Sequence, residues 1–308
     1  MLTIPLPMVG ICSPSTSYLT RFDPVRPVAP IGCLILLRLT NCTLLRLVIC
    51  NPFTRQFRHL PVLNISRTNP AVGMEIVDSN QNVQFPCFRV YVAGGMSEAA
   101  CGGAATYEPT LEMYDSQHDT WKVVGLMPME FAVRLTVWTP NESVYSKGVL
   151  YWVTSARAYI IIGFDILSNT WRELNVPMAD QLEFATLVRL NGELALIGGI
   201  SGGNACIWEL REGDVWCLIE KVSTELGLRF LGGKRNWGRT KCVGNDGAIC
   251  LYRELGSGMV VWREHIGGED KREWYRVDGC FSIKGKQVHT LQIRGILIQP
   301  TLASYIFQ

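Results

Sequence analysis

The stretch FDILSNTW, residues 164–171, decides the fold of this chain. Just before it, residues 148–153 read GVLYWV, a run of the β-branched and aromatic residues that favour strands. Asp165 is suited to open a tight turn, because its carboxylate can accept hydrogen bonds from nearby backbone N–H groups. Trp171 then begins a short final strand, and Pro177 ends the unit. The pattern predicts strand, loop, strand, turn and strand, with the indole ring packed on the sheet.

The same pattern recurs along the chain. Residues 114–121, YDSQHDTW, again place an Asp six residues before a Trp, and residues 50–57, CNPFTRQF, keep that spacing with Asn and Phe. Two units also carry an apolar strand that ends in a glycine pair, at residues 94–95 and 198–199. The closing aromatic residues stand at positions 57, 121, 171, 216 and 274. A repeat of roughly 50 residues with one small sheet per unit is typical of propeller blades.

These repeats divide the chain into an irregular or disordered leader, residues 1–30, and a propeller, residues 31–308. The leader has no apolar periodicity and little charge. We expect six blades, with seven possible if one blade is divergent. The strands of the last unit should pair with residues near 31–50, because a closed ring leaves no free sheet edge. The six units cover residues 31–61, a segment ending near 128, 131–177, 184–220, 237–277 and 280–307.

Glycine pair, Tyr-Asp and Trp in a repeated four-stranded unit resemble a kelch repeat. Residues 49–57, ICNPFTRQF, followed by Leu60 and Pro61, resemble a blade of the plant F-box/kelch-repeat protein family. Residues 142–174 and 190–199 extend the resemblance, which covers roughly residues 31–300. It implies an all-β, kelch-type β-propeller. It also implies the substrate-recognition part of an SCF-type E3 ubiquitin ligase, which captures the target protein that is ubiquitinated.

The family carries an N-terminal F-box that docks the ligase adaptor, and residues 1–30 do not match one. The resemblance therefore implies a Skp-type adaptor and a cullin as partners only if an F-box is supplied. The alternative is a stand-alone kelch scaffold or adaptor protein outside the ubiquitin system. Both interpretations stay open at this point.

One face of the predicted propeller gathers the loops that could bind a target protein. If strands a to d of each blade alternate in direction, the b–c loops and the d–a connections share one face. Exposed Arg, Tyr and Trp on loops are typical of protein-binding hot spots. The other interpretation is that these are scattered solvated charges and that Trp237 packs in the core. The candidate partner-binding residues are Arg157, Tyr159, Lys234, Arg235, Trp237 and Arg253.

The sequence favours neither an enzyme nor a cofactor-binding protein. The four histidines lack metal-ligand spacing, and neither a phosphate-binding glycine loop with G-K-[ST] nor a G-x-S-x-G nucleophile motif occurs. Asp115 and Asp165 are turn residues of different units rather than a catalytic pair. We therefore predict no catalytic residue, no metal and no cofactor.

The net charge and the cysteine content limit the classes of partner and the cellular compartment that we expect. A net charge of +2 gives no bulk attraction to nucleic acid or to a membrane surface. In the apolar run 32–50, Arg38 and Arg46 argue against a membrane span. Eleven cysteines without a C-x-x-C motif suit free thiols in a reducing compartment. We expect a cytoplasmic or nuclear protein that binds neither nucleic acid nor membrane.

Overall fold

The fold consists of small antiparallel sheets that follow one another along the chain. The computed structural model describes residues 9–11, 25–31, 34–52, 56–77, 87–97, 104–139, 142–233, 235–253, 258–264, 272–278, 282–283, 286–287 and 295–297. These residues form five four-stranded sheets, and in four of them the strands are consecutive along the chain. The chain divides into two compact units. Unit 1 is Met1–Thr154, Ile162–Arg172 and Ile296–Gln308, and unit 2 is Ser155–Ile161 and Glu173–Gly295.

The first sheet belongs to unit 1 and follows a short strand, β1 (Val9–Ile11). Its strands are β2 (Val25–Ile31), β3 (Leu34–Leu39), β4 (Leu47–Asn51) and β5 (Gln56–His59). Strand β2 begins inside the segment that we expected to be irregular. Its residues Pro27 and Pro30 have no backbone N–H, but β2 is the first strand of the sheet, where proline is tolerated. The boundary at residue 31 between leader and propeller otherwise stays a prediction.

The second sheet also lies in unit 1, and a helix follows it. The elements are β6 (Ala71–Val77), β7 (Cys87–Ala93), the small hairpin β8 (Met96–Ser97) and β9 (Thr106–Tyr107), then β10 (Thr110–Asp115), β11 (Thr120–Leu126) and α1 (Met129–Val137). The sheet order is β6-β7-β10-β11. The hairpin β8–β9 therefore sits in the b–c loop of this sheet.

The third sheet carries the stretch from which the fold was predicted. Its strands are β12 (Val144–Ser146), β13 (Val149–Ser155), β14 (Tyr159–Asp165) and β15 (Thr170–Asn175). The predicted strand at residues 148–153 and the turn before Trp171 are both present. Six of the seven residues of β13 are buried, which explains why its sequence is continuously apolar rather than alternating.

The fourth and fifth sheets belong to unit 2, with a second helix between them. The elements are β16 (Leu182–Leu190), β17 (Glu193–Ile200), β18 (Ala205–Arg211), β19 (Val215–Lys221), α2 (Thr224–Leu231), β20 (Lys241–Asn245), β21 (Ala248–Tyr252), β22 (Met259–Glu264) and β23 (Arg272–Val277). A hairpin at Asn191-Gly192 joins β16 to β17, and both residues have positive φ, which an Asn-Gly turn favours.

The described residues form five blades, so our expectation of six or seven was wrong. The last predicted unit contributes only short described strands, β24 (Ser282–Ile283), β25 (Lys286–Gln287) and β26 (Gly295–Leu297). Strands β24 and β25 pair with each other, and β26 pairs with β1 rather than with residues 31–50. We overcounted because we took residues 280–307 as a sixth unit, whereas their described strands form no four-stranded sheet.

Consecutive sheets meet at their first strands. In unit 1 strand β6 contacts both β2 and β12, and in unit 2 strand β16 contacts β20. Within each unit the sheets therefore share an inner edge of first strands, and their fourth strands form the outer edge. This is the strand arrangement that propeller blades require.

The closing Trp residues join neighbouring sheets. The indole Nε1–H of Trp121 donates to the Pro61 carbonyl at 2.8 Å, that of Trp171 to Leu126 at 3.1 Å, and that of Trp216 to Asn175 at 2.8 Å. Each acceptor lies in, or two residues after, the fourth strand of the preceding sheet. The repeated Trp therefore serves as a link between blades as well as a core residue.

We expect Trp216→Phe to lower the free energy of unfolding by about 1 kcal/mol, because it removes this hydrogen bond and keeps an aromatic ring. Trp274→Phe is the matched control, since Trp274 Nε1 is buried and has no partner among the described residues. Urea denaturation measures both variants. An equal loss in the two would mean that ring volume, and not the hydrogen bond, matters at these positions.

The Asp residues open turns as predicted. Asp165 Oδ1 accepts hydrogen bonds from the N–H of Leu167 at 3.0 Å and of Ser168 at 2.8 Å. Asp115 Oδ1 accepts from Gln117 N–H at 2.9 Å in the same way. The hydrogen bond from Ser168 holds the pKa of Asp165 below its ordinary value. The turn is thus stabilised by the charged form of the carboxyl group.

Because this pKa is lowered on folding, its stabilisation is present above the ordinary aspartate pKa and is lost as pH falls through the folded-state value. Asp165→Ala should therefore be less stable than the wild type at neutral pH, and the difference should vanish in acid. Urea midpoints across the acid range measure this. Asp180→Ala, at an exposed position with no hydrogen bond among the described residues, should show no such convergence. A constant difference for Asp165→Ala would contradict the assignment.

Candidate protein-binding surface

In unit 2, four segments that follow the second or fourth strands of their sheets lie on one side. We call this side the α2 surface, and it comprises residues 156–158, 176–181, 201–204 and 222–240 of the described chain. Hydrogen bonds connect the segments in order. Tyr159 N–H donates to the Ala179 carbonyl at 3.5 Å, Ser201 N–H donates to Gln181 at 2.8 Å, and Arg235 Nη1 donates to the Gly202 carbonyl at 3.3 Å. The loops therefore form one continuous surface within this unit.

Helix α2 supplies the centre of the α2 surface, and its two ends are defined by local sequence. At its start the Ser223 hydroxyl accepts a hydrogen bond from Leu226 N–H at 3.3 Å. At its end Gly232 adopts a left-handed φ of 68°, which glycine allows without strain. Gly227, Phe230 and Leu231 are buried, whereas the opposite side of the helix is exposed to solvent.

Trp237 anchors the connection that follows α2. The residue is only 1% exposed, and its ring stacks on Phe230 with centroids 6.0 Å apart. Its Nε1–H donates to the Gly203 carbonyl at 3.0 Å, and its backbone N–H donates to the Glu183 carboxylate. A Cβ on Gly199 would overlap the Trp237 side chain, so the second glycine of this pair makes room for the indole.

The glycine pair of unit 1 has a related role. Gly94 and Gly95 both have positive φ, at 66° and 93°, and Gly95 N–H donates to Thr136 Oγ1 in α1 at 2.6 Å. A Cβ on Gly94 would lie 3.0 Å from the carbonyl oxygen of Ala132. In both units the glycine pair thus allows the d–a connection to approach the end of the second strand of the sheet closely.

The predicted candidate residues do not all reach the α2 surface. Arg157 and Arg235 are exposed, Tyr159 and Arg253 are half-buried, and Lys234 lies outside the described residues. Trp237 is a core residue, so our assignment of it as a rim residue was wrong and the core alternative is correct. The reason is that its ring fills the space left by Gly199, which the sequence around Trp237 itself does not reveal. The use of the other five for partner binding stays a prediction.

Burial shifts the pKa of Tyr159, the one tyrosine among the candidate residues. Desolvation raises the pKa of Tyr159, and a backbone hydrogen bond with Ala185 opposes that rise. The hydroxyl is therefore neutral at physiological pH and already has a hydrogen-bond partner. Tyr159 supports the loop rather than offering a free ring to a ligand.

One buried network in unit 1 was not predicted from the sequence. Arg67 and Glu112 have fully buried side chains and form an ion pair at 2.5 Å. The guanidinium also donates to the backbone carbonyls of Ile65, Gly94 and Thr110. Glu112 in turn accepts hydrogen bonds from the backbone N–H groups of residues 64 and 65. The network fixes the connection between the first two sheets and is structural.

Metal-binding side chains are not clustered in the described part of the chain. No cluster of three His, Cys, Asp or Glu side chains that could hold a metal occurs there. The seven cysteines that the structure describes are all free, and burial raises the pKa of Cys250 to about 12, so this thiol stays protonated. No helix among the described residues is long and apolar enough to span a membrane.

Comparison with known proteins places the chain in a family. Residues 27–196 match the profile of the F-box associated beta propeller domain. Three Arabidopsis thaliana proteins are similar over part of their length. F-box only protein 6 is 25% identical over 78% of this chain, F-box protein At5g49610 is 24% identical over 57%, and putative F-box protein At3g22650 is 25% identical over 59%. The alignments cover 48%, 50% and 45% of these relatives, so the chain spans about half of their length.

Two solved structures also align with the chain. A SapL1 lectin in complex with alpha methyl fucoside is 11% identical with a TM-score of 0.47, over 83% of this chain and 79% of the lectin. TolB from Acinetobacter baumannii is 11% identical with a TM-score of 0.47, over 89% of this chain and 57% of TolB. At that TM-score neither likeness carries an inference about fold or ligand.

The profile match covers more than half of the chain, and residues 27–196 include the first three four-stranded sheets and the beginning of the fourth. The profile and the three relatives are named for the F-box or its associated propeller and none is named as an enzyme, in agreement with our expectation. The part of the kelch/F-box resemblance that is established is the F-box associated propeller. This chain belongs to the F-box associated beta propeller domain family.

Proposed function

We propose that this propeller captures a target protein for an SCF-type E3 ubiquitin ligase. The family match and the F-box proteins among its relatives support this role. The chain aligns with about half of each relative, and we propose that an F-box outside the aligned part docks the adaptor. We propose that a Skp-type adaptor and a cullin join when an F-box is supplied.

The observation that carries the proposal is the family match, and the α2 surface is the part of unit 2 that we propose for target binding. Its loops form a connected side, and three of the predicted residues, Arg157, Arg235 and Arg253, are at least partly exposed. Loops on a rigid sheet scaffold are where binding residues concentrate.

We keep the kelch-type description of the repeat as part of the proposal, supported by the glycine pairs and the Asp-to-Trp spacing. A cytoplasmic or nuclear location is likewise proposed, on the basis of the free thiols.

The direct test compares the chain with and without an F-box fused to its N-terminus. We expect the fusion to co-purify with a Skp-type adaptor and a cullin, and to promote ubiquitination of proteins that the unfused chain captures. Captured proteins that are never ubiquitinated by the assembled ligase would favour a stand-alone scaffold instead. Failure of the unfused chain to retain any protein specifically would overturn target capture itself.

A further inference from the structure

The α2 surface carries unpaired positive charge. Arg157, Arg229 and Arg239 are exposed, and none of them forms an ion pair with another described residue. Arg235 is also exposed, and it uses one of its five N–H donors in the described hydrogen bonds, the one to Gly202. Arg253 continues this positive region at the end of β21.

Few acidic groups balance these arginines. Asp180 and Glu225 are the exposed carboxylates among the described residues of the α2 surface. Glu183, nearby in β16, is occupied, because it accepts hydrogen bonds from the Trp237 N–H and the Ser201 hydroxyl. Glu254 and Lys234 lie outside the described residues. Their opposite charges cancel, so counting both leaves the net charge of the surface unchanged. The surface is therefore net positive.

The opposite side of unit 2 has the reverse arrangement. Arg189 forms a bidentate ion pair with Asp246, and Arg211 pairs with Glu209 at 2.8 Å. Exposed Glu212 and Asp214 add negative charge at the turn after β18. Unit 2 is thus polarised, with free cations gathered on the α2 surface although the whole chain is near neutrality.

The aromatic rings near the α2 surface distinguish between two kinds of anionic partner. Single-stranded nucleic acid needs exposed rings on which bases stack. Phe184, Phe230 and Trp237 are buried, and Tyr159 is half-buried with its hydroxyl engaged by Ala185. Among the described residues this side therefore offers guanidinium groups without a stacking platform, which suits carboxylates better than bases.

A small hollow beside α2 lies within this positive field. Its lining includes Gly203, Asn204, Thr224, Leu228 and Arg235, and its volume of about 10 Å³ has room for about one water molecule. Asn204 Nδ2 donates to Thr224 Oγ1 at 3.2 Å, so the polar groups of the wall are already oriented.

We propose that the α2 surface binds an acidic peptide segment of the target protein, with carboxylates paired to Arg157, Arg229, Arg235 and Arg239. This inference rests on the proposed target capture and adds the chemistry of the captured segment. Rim charges of this kind steer association and set partner choice, so binding should weaken as salt is raised.

Fluorescence anisotropy of the full chain with a labelled Glu-rich peptide tests the proposal. The same peptide with Gln in place of Glu, a Lys-rich peptide and oligouridine RNA are the comparison probes. We expect the Glu-rich peptide to bind at least about tenfold more tightly than the other three at low salt. Arg157→Glu/Arg235→Glu should reduce that affinity by at least about tenfold.

Arg46→Glu/Lys122→Glu is the matched control, because it makes the same change in net charge at exposed positions of unit 1, outside the α2 surface. Equal effects of the two double variants, equal binding of the Glu and Gln peptides, or preferential binding of the RNA would each overturn the proposal. If the Arg157→Glu/Arg235→Glu variant still captures its target proteins, target capture stands and only the proposal that it binds an acidic segment is overturned. Circular dichroism confirms that both variants are folded.

Discussion

Arg67→Met is expected to lower the free energy of unfolding by about 3–5 kcal/mol, and Glu112→Gln by a similar amount. Each change leaves the other member of a fully buried ion pair without its partner, and an uncompensated charge in the protein interior is costly. Burial lowers the pKa of Arg67 and the Glu112 carboxylate raises it, with burial the larger effect. Urea denaturation followed by circular dichroism measures the loss.

A graded series separates charge from hydrogen bonding at this site. Arg67→Lys keeps the charge but has three donors in place of five, so backbone carbonyls such as those of Gly94 and Thr110 lose partners. We expect it to be less destabilising than Arg67→Met and still far from neutral. The double variant Arg67→Met/Glu112→Leu should lose less than the sum of the single losses, because neither charge is stranded.

The double variant should nevertheless remain less stable than the wild type. Glu112 accepts the N–H groups of Asn64 and Ile65, and these donors would be left without their acceptor. The control is Arg58→Ala, which breaks an ion pair with Asp119 whose side chains are 43% and 45% exposed. Such a pair contributes at most about 1 kcal/mol. Equal losses for Arg67→Met and Arg58→Ala would show that the buried network does not stabilise the fold.

This network also shows where prediction from sequence ended. Local patterns carried the prediction of strands and turns, because Asp165 and the residues it bonds lie within three positions of one another. Arg67 follows a short polar stretch that resembles an exposed loop, and its carboxylate partner lies 45 residues further along. Nothing in a local pattern indicates such a pairing, so the network was not predicted.

The same difference between local patterns and contacts distant in sequence explains how much of the α2 surface could be predicted. Helix α2 could have been predicted from its serine N-cap at position 223 and its glycine at 232, since both signals are local. The burial of Trp237 could not, because the flanking residues 234–239 read KRNWGR, which is typical of a solvated loop. The space for its ring is made by the glycine at the end of a strand of the preceding sheet.

Gly199→Ala is therefore expected to destabilise unit 2 strongly, by about 3 kcal/mol or more. The added methyl group would overlap Trp237 Cβ and would lie 2.5 Å from Cε1 of Phe184. Trp237 cannot easily move away from the added methyl group, because its indole N–H donates to the Gly203 carbonyl and its backbone N–H donates to the Glu183 carboxylate. The indole must leave its site, and the connection that carries Arg235 must move with it.

Gly247→Ala is the matched control, because a Cβ there would contact nothing within 4 Å and the residue does not need a positive φ. We expect Gly247→Ala to remain within about 0.5 kcal/mol of the wild type, as is usual for surface substitutions. Limited proteolysis should cut Gly199→Ala in the segment around residue 235 faster than the wild type or the control. Wild-type stability in Gly199→Ala would mean that Trp237 is not fixed by this close approach. The position of Arg235 would then depend on α2 and its capping residues and not on the glycine pair.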